Sequence, residues 1–137
     1  MPASRIALHP RLADDTHVLG RAPSGTLLLH RNALLPWLIL VPDTEVLDLL
    51  ALPPAILQQA LDDCAQLDRY IRSRWGVERV NFAAIGNIVP QLHLHRVGRK
   101  VGDCCWPLPV WGHLTSAATY ATGDLAAIRA EVAALWP

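Results

Sequence analysis

Residues 91–95, with the sequence Gln-Leu-His-Leu-His, combine residue types and a spacing that could do chemistry on a phosphate ester. Successive side chains of a β-strand point to opposite faces, so a strand here would bury its two leucines. Gln91, His93 and His95 would then lie in a row on the other face. Residues two apart on a strand are about 6.5–7 Å apart along the backbone. Side chains of this length can converge on one phosphate group.

An imidazole is suited to attack on phosphorus. Neutral histidine is a good nucleophile near neutral pH, because its ordinary pKa is about 6.5, and it can form a covalent phosphohistidine-type intermediate. A second imidazole can steady the non-bridging oxygens, and an amide such as Gln91 can donate to an oxygen or to the leaving group. Gly86 and Asn87 lie just upstream, where a turn would present main-chain N–H groups to the phosphate. The pattern predicts His93 and His95 as catalytic imidazoles.

Two other interpretations of the histidine pair stay open at this point. His-x-His occurs in many proteins without a catalytic role. The pair could also bind a metal, since imidazole is a common zinc ligand and Cys104 and Cys105 could supply thiolates. The chain has no Cys-x2-Cys spacing, and no acidic residue follows the pair closely. The spacing therefore disfavours a metal site.

The elements that must position these residues are predicted strands interrupted by a long helix. Pro53 and Pro54 suit the first turn of that helix, an apolar stripe follows at three- and four-residue steps, and Gly76 ends it. Its acidic residues, Asp62, Asp63 and Asp68, are expected on the solvent face. A second amphipathic helix is expected over residues 124–135. Strands are predicted over residues 17–20, 26–30, 34–41, 80–85 and 89–97, with a loop over residues 102–112. This order predicts an α+β fold with an antiparallel sheet.

The composition indicates one cytoplasmic domain. The 137 residues suit a single domain, and the 52% hydrophobic content hints at a buried dimer interface. Twelve basic residues balance twelve acidic ones, so no bulk charge favours nucleic acid or a membrane surface. The longest apolar stretch, residues 33–42, is too short to span a bilayer. Three cysteines suit a reducing compartment, and charged residues near the N-terminus argue against a signal peptide.

Residues 91–97, Gln-Leu-His-Leu-His-Arg-Val, resemble the signature of the histidine triad (HIT) family, His-φ-His-φ-His-φ-φ, where φ is apolar. The context is similar as well. Residues 81–90 look like the family's strand and glycine turn, and residues 38–42 look like its apolar strand that ends in proline. Arg99 follows the triad as in many members, and the tail at 106–112 is similar to a bacterial branch. The resemblance covers roughly residues 15–112.

The resemblance implies a five-stranded antiparallel sheet with one long helix and a C-terminal helix. It implies a single domain over residues 1–137, with its core at about 15–112 and a tail and helix at 113–137. Members usually pair as homodimers, bind purine nucleotides, and hydrolyse or transfer nucleotidyl groups. No metal or cofactor is expected.

The family's functional positions can be placed on this chain. The middle triad position, which is the family's nucleophile, corresponds to His93, and the third position corresponds to His95. The nucleotide-binding positions are Asn32 for the ribose, Asn81 near the phosphate end, and Gly86 and Asn87 at the phosphate.

Three positions depart from the family pattern. Gln91 replaces the first histidine, Trp37 stands where many members have a further supporting histidine, and Arg96 replaces an apolar residue. Because the nucleophile is kept, we expect an enzyme that acts on nucleoside phosphoramidates or dinucleoside polyphosphates through a nucleotidyl-histidine. The alternative is a purine nucleotide-binding module with little or no turnover.

The remaining aromatic and histidine residues are expected to have structural roles. Trp106 and Trp111 could stack on a base, but packing of the proline-rich tail is the favoured interpretation. Four isolated histidines are expected at the surface or in turns: His9, His17, His30 and His113.

Overall fold

The computed structural model describes residues 5–137 and contains a five-stranded antiparallel sheet with three α-helices. The strands are β1 (Thr16–Ala22), β2 (Gly25–His30), β3 (Trp37–Pro42), β4 (Arg79–Ala83) and β5 (Leu94–Arg99). The helices are α1 (Pro10–Asp15), α2 (Pro54–Trp75) and α3 (Thr122–Ala133), and a short 3-10 helix spans Leu49–Ala51. The strand order is β1-β2-β3-β5-β4. This confirms the predicted fold class. None of the helices within residues 5–137 has the length and apolar character needed to cross a membrane.

The long helix α2 begins and ends where the sequence predicts. Pro54 is its first residue, and Gly76 follows it with a left-handed φ of 64°, which glycine adopts without strain. Its apolar stripe packs on one face of the sheet, where Leu67 is fully buried. Helix α3 joins the same core through Ile128 and Val132. One face of the sheet is therefore closed by helices.

The opposite face of the sheet is closed mainly by irregular chain. A second core cluster there takes Leu8 and Leu12 from the N-terminal region, Val89 from the loop before β5, and Cys105 and Val110 from the segment after it. Loops tolerate sequence variation and often carry binding residues on a rigid support. This face of the sheet is thus covered by loops that pack over β3 and β5.

The strand that carries the histidine pair is shorter at its start than predicted. Strand β5 begins at Leu94, because residues 84–93 form an irregular loop. The alternation of faces nevertheless extends into this loop. Leu92 lies in the core under α2, whereas the ring of His93 lies beside that of His95, with centroids 4.8 Å apart. The predicted row of imidazoles is present although half of it precedes the strand.

Two acidic residues expected on the solvent face of α2 interact with other elements of the fold instead. Asp63 is buried and accepts a hydrogen bond from the main-chain N–H of Ser24 at 2.8 Å. Asp68 forms an ion pair with the guanidinium of Arg96, which is 5% exposed and lies over the ring of Phe82 at 4.5 Å. The helical period could not reveal these pairs, because their partners lie far away in the sequence.

Removal of the Asp68 carboxylate is expected to destabilise the fold, because it leaves the buried Arg96 charge without its partner. We expect Asp68→Ala to lower the free energy of unfolding by about 3 kcal/mol. The matched control is Asp62→Ala on the exposed side of the same helix, which should change it by less than about 0.5 kcal/mol. Urea denaturation measures both values. Equal effects of the two variants would contradict this role of the ion pair.

Candidate functional site

A cleft of about 370 Å³ opens on the loop-covered face of the sheet. We call it the aromatic cleft, because three imidazoles and two indoles line it: His30, Trp37, His93, His95 and Trp111. The other lining residues are Arg11, Leu12, Asp15, Thr16, Ile39 and residues 85–89. Helix α1, strands β1, β2, β3 and β5 and two loops therefore meet at one site.

The ring of His93 has one nitrogen occupied and one available. Its Nδ1 lies 2.6 Å from the main-chain carbonyl oxygen of Gln91. A carbonyl oxygen can only accept, so Nδ1 carries a proton and the lone pair of the neutral ring is on Nε2. No residue in the range 5–137 forms a hydrogen bond with that Nε2. This is the tautomer that a nucleophilic histidine needs.

His95 has the opposite arrangement. Its Nδ1 accepts a hydrogen bond from the indole Nε1–H of Trp37 at 3.0 Å. Burial lowers the pKa of His95 to about 3, and the neighbouring imidazoles of His93 and His30 contribute in the same direction. The ring is therefore neutral near physiological pH, with its proton on Nε2. His95 can donate from this atom to a bound group.

The loop before β5 offers main-chain donors next to His93. Gly86 has a φ of 65°, a left-handed conformation that favours glycine. The main-chain N–H groups of residues 86–89 form no hydrogen bond within the described part of the chain. Successive free N–H groups at a turn form a site for an anion. Gly86 and Asn87 line the same cleft as His93.

A second, larger depression of about 710 Å³ lies on the other side of this loop. We call it the apolar groove, because exposed apolar side chains line it: Leu47, Leu50, Phe82 and Ile85. His93, Gly86 and Asn87 border both the groove and the aromatic cleft. His93 therefore lies at the junction of an aromatic and an apolar depression.

The side chain of Gln91 differs in placement from the predicted row. Its Oε1 accepts from the main-chain N–H of His9 at 2.8 Å, and its Nε2 donates to the carbonyl of Ala7 at 2.9 Å. It does not line the aromatic cleft. The irregular loop before β5 ends the regular alternation at this position, so the amide holds the N-terminal segment instead.

The two asparagines suggested for nucleotide binding also have other partners. Asn81 accepts from the guanidinium of Arg99 at 3.2 Å. Asn32 donates to the carbonyl of Ser116 at 3.1 Å and accepts from the main-chain N–H of Ala118 at 3.2 Å. Neither lines the aromatic cleft. The return of the C-terminal tail to the β2–β3 loop explains the contacts of Asn32, and local sequence does not show it.

Sequence reasoning placed Trp37 at a supporting position of the triad, but it expected His30 at the surface or in a turn and favoured tail packing for Trp111, whereas all three line the aromatic cleft. His30 ends β2, Trp37 begins β3, and their rings stack with centroids 4.0 Å apart and planes 9° apart. Trp111 packs edge-on against Trp37 at 5.6 Å and against His95 at 5.0 Å. Because His30 ends β2 and Trp37 begins the next strand, their positions in the sequence could have predicted the contact between the two rings. Trp106 lies instead near the guanidinium of Arg99, at 5.7 Å.

Among the residues that the structure describes, His93 and His95 belong to no group of three His, Cys, Asp or Glu side chains close enough to share a metal ion. In residues 5–137, the one group of three potential ligands close enough to share an ion is Asp103, Cys104 and Cys105. The carboxylate of Asp103 is already bound to the guanidinium of Arg99 at 2.8 and 3.0 Å. Neither cysteine lines the aromatic cleft. Cys104 and Cys105 therefore do not join His93 and His95 in the way that the metal interpretation required.

The lowered pKa of His95 predicts a loss of stability in acid. The unfolded chain binds a proton at this residue between its ordinary pKa of about 6.5 and about 3, whereas the folded chain does not. The neutral His95 ring therefore makes its full contribution to the free energy of unfolding above pH 6.5. This contribution is lost as the pH falls from 6.5 towards 3. Between pH 7 and pH 5 we expect a loss of roughly 2 kcal/mol from this residue.

The control is His95→Asn, which keeps an acceptor for the Trp37 indole but cannot titrate. Urea denaturation at the two pH values should show a smaller pH dependence for this variant than for the wild type. If both proteins lose the same stability between pH 7 and pH 5, His95 is not the group responsible.

Comparison with known proteins identifies the family. A family model described as the HIT domain matches residues 11–102. A histidine triad protein of Marinobacter aquaeolei is 37% identical, with a TM-score of 0.87 and coverage of 96% of each chain. A histidine triad protein of Bradyrhizobium japonicum is 30% identical, with a TM-score of 0.89 and coverage of 97% of this chain and 100% of the other. A zinc-bound histidine triad family protein of Mycobacterium smegmatis, at 18% identity and a TM-score of 0.63, covers 91% of each chain and shares the fold.

None of the curated proteins compared with the chain matches it significantly. The family model alone spans more than half of the chain, and the first two structures match over nearly its whole length. This chain therefore belongs to the histidine triad (HIT) family of nucleotide-binding hydrolases and transferases.

Proposed function

We propose that this protein is a nucleotidyl hydrolase or transferase in which Nε2 of His93 attacks the α-phosphorus of a nucleoside phosphoramidate or dinucleoside polyphosphate. The observation that carries this proposal is the hydrogen bond between Nδ1 of His93 and the Gln91 carbonyl, which leaves the lone pair on Nε2. The new N–P bond forms as the bond from phosphorus to the leaving group breaks. Water then attacks phosphorus, releases a nucleoside monophosphate and regenerates the imidazole.

Neutral donors stabilise the charge that develops on the phosphate oxygens in this proposal. These donors are the Nε2–H of His95 and the main-chain N–H groups of residues 86–89. The only full positive charge among the described lining residues is Arg11, whose side chain is exposed. Preorganised dipoles of this kind stabilise a transition state effectively, because they need no reorganisation when the charge appears.

The two depressions beside His93 suggest where the parts of a substrate bind. The aromatic cleft offers the partly exposed rings of His30 and Trp111 to a nucleobase or sugar, and its volume is within the range of small-molecule sites. With the nucleoside there and the α-phosphate at His93, the leaving group lies at the border between the cleft and the apolar groove. A purine nucleotide is the expected ligand.

The predicted site residues have distinct tasks in this mechanism. Gln91 contributes its main-chain carbonyl to the tautomer of His93, while its side chain holds residues 7 and 9. Gly86 and Asn87 bind the phosphate through main-chain N–H groups. Asn32 and Asn81 support the surrounding loops through the hydrogen bonds described above.

We further infer that two copies of the chain associate through the apolar groove. Strand β4 is an edge of the sheet, and Phe82 on it and Ile85 after it are each more than 40% exposed. Leu50, across the groove, is 86% exposed. A paired second copy would cover an apolar surface of this kind, which soluble monomers rarely expose. The site would then lie close to the dimer interface, because His93 borders the groove.

A cytoplasmic location follows in this proposal from the thiols. Cys64, Cys104 and Cys105 are all unpaired, and reducing compartments keep thiols in this state.

Loss of the proposed nucleophile is expected to abolish turnover but not binding. For His93→Ala we expect the rate of adenosine phosphoramidate hydrolysis to fall by at least about a thousandfold. The matched control is His113→Ala, because His113 is exposed and lies outside both depressions. It should retain the wild-type rate. Equal rates for His93→Ala and the wild type would contradict the proposed chemistry.

Thermal stabilisation by AMP separates the enzyme from the binding-module alternative. If AMP raises the Tm of the wild type and of His93→Ala while phosphoramidates and dinucleoside polyphosphates are not turned over, the protein is a binding module. If the wild type turns over either class of substrate, that alternative is excluded.

The dimer inference is checked by light scattering on the purified protein. We expect a mass near twice 15.0 kDa. A mass near 15.0 kDa at micromolar concentration would contradict it.

A further inference from the structure

The indole of Trp37 is held on several sides and is 5% exposed. One face of the ring stacks on His30 with a centroid distance of 4.0 Å, and Trp111 meets it nearly at right angles, at 81°. Trp37 also pairs with Val97 across β3 and β5. Contacts of this number leave the indole little freedom to rotate, so its N–H has a fixed direction.

The direction of that N–H is set by strand register. His95 pairs with Ile39, two residues beyond Trp37 on β3, so Trp37 and His95 are diagonal neighbours on one face of the sheet. Diagonal side chains on adjacent strands are within reach of each other when they are long or aromatic. The observed distance of 3.0 Å from Nε1 of Trp37 to Nδ1 of His95 is that of a well-formed hydrogen bond.

An indole N–H can donate but cannot accept. Nδ1 of His95 must therefore be unprotonated while this hydrogen bond exists, and the proton of the neutral ring must be on Nε2. We propose that Trp37 is a positioning residue that holds His95 in the Nε2–H tautomer, so that this ring acts only as a neutral hydrogen-bond donor to a phosphate oxygen. The catalytic part of this inference rests on the proposed function, whereas the tautomer is a property of the free protein.

The groups that face His95 favour the same state. The ring of His93 lies 4.8 Å away, and His30 lies behind the Trp37 indole. A second proton on His95 would place a positive charge in a buried position beside two imidazoles. It would also make Nδ1 a donor, so that this N–H would face the indole N–H of Trp37 without an acceptor between them. Burial and these imidazoles lower the pKa of His95 to about 3. Arg11 and Asp15, the charged residues in the described lining, are exposed and of opposite sign.

A fixed tautomer gives the two histidines different roles. His95 with a proton on Nε2 has no lone pair on the atom that can face a ligand, so it cannot act as a base there. His93 has the reverse arrangement, with a lone pair on Nε2. The two rings therefore present one nucleophile and one donor, and they do not exchange these roles.

The first test is the tautomer in the free protein. In protein labelled with 13C and 15N at histidine, NMR should show Nδ1 of His95 unprotonated and Nε2 protonated from pH 5 to pH 8. This measurement needs neither substrate nor turnover. A wild-type spectrum in which His95 is protonated at Nδ1 overturns the proposal, whether or not the protein is an enzyme.

The second test removes only the donor. Trp37→Phe keeps an aromatic ring in the stack but lacks the N–H, and we expect a fraction of His95 to appear with its proton on Nδ1. The value of kcat for adenosine phosphoramidate should fall about tenfold to a hundredfold, with KM within about threefold, because the lost donor acts mainly in the transition state.

The matched control is Trp106→Phe, since Trp106 lies outside the aromatic cleft. It should change neither the tautomer of His95 nor kcat. A Trp37→Phe protein with an unchanged His95 tautomer and an unchanged kcat would overturn the proposal. If Trp37→Phe does not fold, the wild-type spectrum decides alone. If the spectrum is as expected but no substrate is turned over, the positioning role stands and the proposed enzyme function fails.

Discussion

The indole N–H of Trp37 donates to His95, and the main-chain carbonyl of Gln91 accepts from His93. Each of these partners has a single hydrogen-bonding role, so together they assign opposite tautomers to two adjacent imidazoles. The rest of the site depends on this constraint. The same two rings with free tautomers would offer no defined nucleophile and no defined donor. Both partners belong to rigid surroundings, because one is stacked in the cleft and the other precedes a central strand.

The two faces of the sheet have different roles in the fold. One face packs against the helices, and the other carries the aromatic cleft. Leu94 and Arg96 of β5 point towards α2, where Arg96 pairs with Asp68. The residues between and beside them, including His95, point towards the loop-covered face. Strand alternation thus lets one short strand contribute both to a helical core and to a binding cleft. Gly98, on the helix side, permits this close packing, because a Cβ there would lie 2.6 Å from the ring of Pro36.

The aromatic cleft contains few charged residues. The polar side chains buried in it include the imidazoles of His93 and His95, while the main-chain amides of residues 86–88 and the side chains of Arg11 and Asp15 lie at its exposed rim. Neutral donors are less costly to bury than cations. They bind phosphate oxygens through directed hydrogen bonds rather than through a net positive charge. This agrees with a chain whose formal net charge is zero. It also agrees with the assignment of the chain to a family that acts on nucleotides.

Local patterns determined a large part of the fold. The apolar period and Gly76 predicted α2, the order of elements predicted the antiparallel sheet, and the two-residue spacing brought His93 and His95 together. These features follow from interactions between residues close in sequence. The tertiary structure alone decided the partners of Asp68, Asn32 and Gln91, and the stack of His30 on Trp37. Each of those contacts joins separate elements across the fold, so its geometry depends on packing and register that no local period encodes.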